Sequence, residues 1–255
     1  MKIALCHLEI SEGPECKNLA LLEQAVRIAA DNEAQWVITP ETAVQGYYFY
    51  KLNQDAVVPV QPSTQLNNLL ALVKAYSLYL FLGAGEYDSE LSCNFNSCIV
   101  FAPDGTVCGK HRKLISHGIG AEAWATKATV LEPIVCGKTK VGALVCADAW
   151  YSEHAQEMQQ KGAHIIIDIA AWPPTEVCGN PLGAWEKCSS VTGLPMLVCN
   201  QTGKTQWMDM TIGQSVVIEH GKTKLSYNGE QAVLLFEWDE ASGEVLSDKF
   251  EIISI

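Results

Sequence analysis

Two hydrophobic periods alternate along this chain, and the switches between them mark its elements. Apolar runs of strand length occur at Ile3 to Leu8, Trp36 to Ile38, Leu78 to Gly83, Val141 to Val145, Ala163 to Ala170 and Pro195 to Asn200. Helical spacing intervenes. Leu19, Leu22, Ala25, Val26 and Ala29 share a face over Asn18 to Ala30, as do Leu66, Leu69, Leu70 and Val73 over Thr64 to Tyr76. Glu153 to Gln160 and Leu182 to Val191 read as two further helices. This βα alternation predicts parallel strands with helices packed outside them. Ser97 to Ala102 and Thr106 to Gly109 flank Pro103-Asp104-Gly105, a hairpin signal, so antiparallel strands join the sheet. Gln214 to Glu219, Gln231 to Trp238 and Phe250 to Ile255 read as later antiparallel strands, with a turn at His220-Gly221-Lys222. The expected class is α/β, with mixed sheets flanked by helices.

Composition narrows the function. A chain of 255 residues with 48% hydrophobic content supplies one sizeable core, so residues 1–255 are expected to form a single domain. A net charge of −12 without any long Lys/Arg run argues against nucleic acid or anionic membrane as partner. The amino terminus turns acidic at Glu9, too soon for a secretory leader, and no apolar run reaches the ~18 residues of a membrane span. The expected location is the cytoplasm. Ten cysteines scattered through strands and helices fit reduced thiols there. Cys93 and Cys98 lack the second pair a zinc site needs, so neither metal nor other cofactor is expected. With only two arginines, Arg27 and Arg112, bidentate recognition of a substrate carboxylate is scarcely available.

Three residues carry the candidate chemistry. Cys146 closes the apolar run Val141 to Val145, just before a helical pattern begins at Ser152. Ligands of α/β sheets bind beyond the carboxyl ends of strands, and a helix N-terminus favours thiolate. Taken alone, Cys146 reads equally well as a small core hydrophobe. Glu41 follows the Trp36 to Ile38 run behind Pro40, and Lys113 follows the second hairpin arm within Lys110-His111-Arg112-Lys113. Acyl transfer from an amide or nitrile needs a proton carrier, a positive donor for the developing oxyanion and a nucleophile, which are these three residue types.

On Pro40-Glu41, Arg112-Lys113-Leu114 and Cys146-Ala147-Asp148 the sequence resembles the nitrilase superfamily of carbon–nitrogen hydrolases. The resemblance covers nearly the whole chain, through Tyr47, the Pro195 to Gly203 stretch and Gly213-Gln214-Ser215. It implies an α-β-β-α sandwich, a Glu41-Lys113-Cys146 triad, a second pocket glutamate best matched by Glu122, and a homodimer paired through helices. It further implies a small-molecule substrate, with Tyr47, Ala147, Trp150 and Trp172 around it and the Ala147 N–H on the oxyanion.

Where many relatives carry arginine, this chain has Trp150, and Asn200-Gln201 replaces the frequent Asn-Arg. The expected reaction is therefore hydrolysis of a small neutral, cationic or aromatic amide to carboxylate and ammonia through a cysteine thioester. An N-carbamoyl hydrolase or a nitrilase is the alternative. Nitrilases of the family more often carry Trp-Glu where Ala147-Asp148 stands. An acyltransferase passing the same thioester to an amine is the alternative of another class. Asp148 is expected to be structural, bonding N–H groups at the turn.

Overall fold

A computed structural model describes residues 1–116 and 118–255, and in it the apolar runs become strands of two packed sheets. The first half supplies β1 (Lys2–His7), α1 (Glu15–Asp31), β2 (Ala34–Ile38), a short α2 (Phe49–Leu52) and α3 (Asn67–Tyr76). It continues through β3 (Tyr79–Asp88), β4 (Cys93–Phe101) and β5 (Val107–Arg112). The second half runs β6 (Ile134–Cys136), β7 (Thr139–Val145), α4 (Ser152–Gln160), β8 (Ile165–Ala170), α5 (Pro181–Thr192) and β9 (Met196–Asn200). It ends with β10 (Ser215–Glu219), β11 (Lys222–Tyr227), β12 (Ala232–Asp239), β13 (Glu244–Val245) and β14 (Glu251–Ser254).

One sheet has the order β13-β12-β1-β2-β3-β4-β5, with β14 also on β12, and the other β11-β10-β9-β8-β7-β6. Strands β1, β2 and β3 are parallel, as are β7, β8 and β9. The late strand β12 returns to the first sheet and pairs antiparallel with β1, Ile3 opposite Phe236. Helices α1 and α3 cover the first sheet from outside, α4 and α5 the second, and β4 and β5 pack over β7 between them. The layers are therefore helix, sheet, sheet, helix. Central strands are covered on both faces, which is why β1 and β8 are apolar runs rather than alternations.

The structure departs from the sequence pattern at β5, which extends to Arg112. Its charged residues look like a strand end, but Lys110 and Arg112 both reach the buried Glu86 carboxylate on β3 and stay in register. β6 and α2 are too short for a periodic signal. Because β4 runs opposite to β3 and β5 opposite to β4, strands β2 and β5 end on one edge of their sheet. Glu41 and Lys113 leave the chain there, and Cys146 leaves the matching end of β7.

Candidate active site

Glu41 is placed by close contact between backbones. The Thr39 N–H donates to Phe81 O at 2.9 Å, and the Gly83 N–H donates to Thr39 Oγ1 at 3.0 Å. Glycine is required at 83, since a Cβ there would lie 2.0 Å from Pro40 O. Gln201, the residue standing where relatives often have arginine, donates from Nε2 to Glu41 O at 2.6 Å and so braces this turn.

The Glu41 carboxylate is buried. Its Oε1 accepts from Lys113 Nζ and from Asn96 Nδ2, both at 2.7 Å, and its Oε2 accepts from the Ala171 N–H at 3.1 Å. Lys113, 1% exposed, also donates to Glu122 Oε1, and Asn96 Nδ2 lies 3.3 Å from the same oxygen. Burial pushes the Glu41 carboxyl up and Glu122 adds to this, against Lys113 and the Cys146 thiol, which donates to it. Burial alone would lower Lys113, but Glu122 and Glu41 overcome it and hold the ammonium charged, well above its ordinary range. Arg112 points away, forked onto Glu86 and Asp88 and lying 4.2 Å from the Phe95 ring centroid.

Cys146 opens a single 3-10 turn, Cys146–Trp150, with a φ of +53°. Such a left-handed conformation costs a residue with a Cβ on the order of 1–3 kcal/mol and is held by its surroundings. Here the Cys146 N–H donates to Asp168 Oδ1 at 2.6 Å, and Trp185 Nε1 holds Asp168 Oδ2 at 2.7 Å. The thiol does not behave as the sequence suggests. Burial pushes it well above the ordinary cysteine range, Glu41 pushes it further, and Lys113 only partly opposes them. The turn is too short to act as a helix dipole, and the Cys146 N–H is already bonded. Both effects favour the thiol over the thiolate, and the thiol faces Glu41.

Asp148 ties the cysteine turn to the lysine loop. Its Oδ1 accepts from Leu114 N at 2.9 Å and Ile115 N at 2.8 Å, while Oδ2 accepts from His111 Nε2 at 2.8 Å and Val145 N at 3.2 Å. The structural role expected of Asp148 thus spans two loops rather than one turn. Burial pushes this carboxyl up, but the His111 hydrogen bond and charge, with Lys113, outweigh it and hold it below the ordinary range. A depressed folded value contributes stability at neutral pH and loses it as pH falls below the unfolded value near ~3.9. Asp148→Asn should therefore cost about 2–4 kcal/mol at pH 7 in urea titrations, with the gap from wild type closing below about pH 4.

The other expected site residues take different places. The Tyr47 phenol is buried against Glu122, Glu41, Lys113 and Cys146, and burial with the two carboxylates pushes it well up. Ala147 is buried beside Cys146, early in a turn where backbone N–H groups lack helical acceptors. Trp172 is buried, its backbone pinned by Asn200 through Trp172 N to Oδ1 and Asn200 Nδ2 to Trp172 O, both at 2.9 Å. Trp150 is 49% exposed and rests on Trp172, ring centroids 5.7 Å apart, and Trp172 rests on Trp185 at 5.6 Å. Through Trp185 and Asp168 this stack reaches the Cys146 N–H.

Sequence reasoning missed Asn96 and Asp168. Each is a polar residue inside an otherwise buried strand, which is the signal that was available. Among the described residues no group of three His, Cys, Asp or Glu is placed to hold a metal ion, and no helix is long and apolar enough to cross a membrane.

The family model of the carbon-nitrogen hydrolases matches residues 2–232. The chain belongs to this family. It is a carbon–nitrogen hydrolase. A citrullinase of Francisella tularensis is 26% identical over 259 residues, covering 89% of this chain and 84% of the relative. An omega-amidase of Bos taurus is 28% identical over 174 residues, covering 65% of this chain and 62% of the relative. Nit3 of Saccharomyces cerevisiae, a member of the nitrilase superfamily, shares the fold at a TM-score of 0.83 and 21% identity, covering 94% of this chain and 90% of its own. A mutant of the amidase from Nesterenkonia, carrying the acetamide moiety of fluoroacetamide on its active site cysteine, matches at a TM-score of 0.82 and 19% identity, covering 95% and 92%.

Proposed function

We propose that this hydrolase cleaves the terminal C–N bond of a small amide through a thioester on Cys146, with Glu41 and Lys113 completing the triad. The observation that carries the reading is the convergence of one buried ammonium and two buried carboxylates beside a buried thiol held in a strained turn. As the sulfur attacks the amide carbon, its proton passes to Glu41, and the Lys113 ammonium with the Ala147 N–H faces the developing oxyanion. Glu41 then hands the proton to the leaving nitrogen, and ammonia departs as the thioester forms. A water deprotonated by Glu41 attacks the thioester, releasing the carboxylic acid and restoring the thiol. Glu122 holds Lys113 from the far side. The raised Glu41 carboxyl suits an acid–base shuttle, since the shift makes the carboxylate a stronger base for the thiol proton.

The citrullinase likeness, over most of the chain, favours a second reading in which the scissile bond belongs to a carbamoyl group. A screen of small amides, carbamoyl compounds and nitriles for ammonia release tests both, with hydroxylamine added to see whether transfer outruns hydrolysis. Ammonia from none of them refutes the reading. Lys113→Arg keeps the charge but replaces a compact ammonium with a planar fork in a space fitted to two carboxylates. It should lower kcat by ~10² or more, measured at saturating substrate. Near-normal kcat would remove Lys113 from the oxyanion.

Three coarser expectations belong to the same proposal. One apolar core running through both sheets supports residues 1–255 as a single domain. Ten free thiols support a reducing, cytoplasmic compartment. Tyr151 and Val191, exposed beside α4 and α5, support a homodimer through that helical layer.

A further inference from the structure

Beside the site lies a cation that an arginine count passes over. Lys51, in α2, is exposed, with its ammonium 5.7 Å from the Tyr48 ring centroid and 5.5 Å from that of Trp207. The two rings lie 4.8 Å apart and belong to a small cluster with Tyr47, Ala121 and Ala171. That cluster adjoins the site. Ala171 donates to Glu41, Ala121 immediately precedes Glu122, and the Tyr47 phenol senses Glu41, Glu122, Lys113 and Cys146. Lys51 also passes over the turn leading to Glu122, since a Cβ on Gly120 would lie 3.9 Å from Lys51 Cε. Although the chain carries 29 acidic residues, no carboxylate among the described residues lies within ion-pair distance of Lys51. Lys204, on the loop that bears Trp207, differs in this respect, pairing with Asp209 at 3.8 Å.

We propose that Lys51 is the binding site for an anionic group at the far end of the substrate, a carboxylate on a short linear amide or ureide. This rests on the C–N hydrolysis read above. At the triad a single ammonium already faces two carboxylates, so a further negative group is repelled there and must lie farther out. Parked on two ring faces, the Lys51 ammonium gives up only a weak cation–π contact when it turns to a carboxylate, which binds its donors more strongly. Tyr48 and Trp207 would flank the methylene tail. The expectation of neutral or cationic substrates counted arginines and bidentate pairing, whereas a flexible ammonium needs only one point of contact.

The test compares tails of equal length: glutaramate against valeramide, and γ-ureidobutyrate against butylurea. Kd is measured by calorimetry in the Cys146→Ala background, and kcat/KM in the active enzyme. Lys51→Met keeps the stem, and Lys51→Arg keeps the charge. Lys51→Met should lower the acid-to-neutral ratio in both measurements by roughly 10- to 100-fold, the range for a lost hydrogen bond to a charged group. Lys51→Arg should restore most of the ratio, and raising ionic strength should depress it in wild type and Lys51→Arg but not in Lys51→Met. An unchanged ratio in Lys51→Met, or a wild-type preference for the neutral partner, overturns the proposal. Wild type that binds the acids through Lys51 but turns over no amide or ureide overturns the reaction instead and leaves the anion site standing.

Discussion

Cys146→Ala should lower kcat by roughly 10⁴-fold or more while the protein stays folded. Without the sulfur no thioester forms, and the polarising groups that remain act only on a direct attack by water. The structural cost is small because the substitution removes one buried atom and keeps the Cβ at a left-handed position that the Asp168 and Val145 contacts already enforce. About 1 kcal/mol, or a fall in Tm of ~2–4 °C, is expected by calorimetry. Cys146→Gly should be as inactive yet relieve the backbone strain, so a higher Tm than that of the alanine variant separates strain from chemistry. Residual turnover within about tenfold of wild type would remove Cys146 from the mechanism.

Glu41→Gln should cost ~10³-fold in kcat, measured at saturating substrate, because two effects coincide. The amide cannot take the thiol proton, which general-base catalysis values at ~10²–10⁴. It also fits the site badly. Glu41 accepts four hydrogen bonds on two oxygens, from Lys113, Asn96, the Ala171 N–H and the Cys146 thiol. A glutamine has one acceptor oxygen, so its NH₂ must face a donor whichever way it turns. One unsatisfied buried donor costs about 1–3 kcal/mol, and urea titration should show a loss of that size. An active Glu41→Gln enzyme would transfer the base role to Glu122, and the Glu122→Gln variant would then be the inactive one.

Much of this site is legible in the sequence because its parts sit where strands stop. Glu41, Lys113 and Cys146 each follow an apolar or hairpin segment by a residue or a few, and α/β topology brings strand ends to one edge. Glu122 was legible only by family resemblance, and the structure brings it to Lys113 from a short 3-10 turn with no periodic pattern. The direction of the Cys146 shift was not legible. It follows first from burial of the thiol itself and then from the Glu41 charge beside it, properties of packing rather than of the local turn. Asn96 and Asp168 announce themselves as polar residues in buried strands, yet their partners lie on other elements, at Glu41, Cys146 and Trp185. Lys51 was hidden for a different reason. Exposed lysines are ordinary, and only the ring faces of Tyr48 and Trp207 beneath it distinguish this one.

The thioester is the centre of the account, and trapping it is the most direct test. Wild-type enzyme turning over an amide found active in the ammonia screen is quenched in acid, digested and mapped by mass spectrometry. The account predicts an acyl group, the substrate less ammonia, on the peptide containing Cys146, absent from the Cys146→Ala protein and released by hydroxylamine as the hydroxamate. An acyl group on any other residue, or undiminished turnover after the Cys146 thiol has been alkylated, would contradict it.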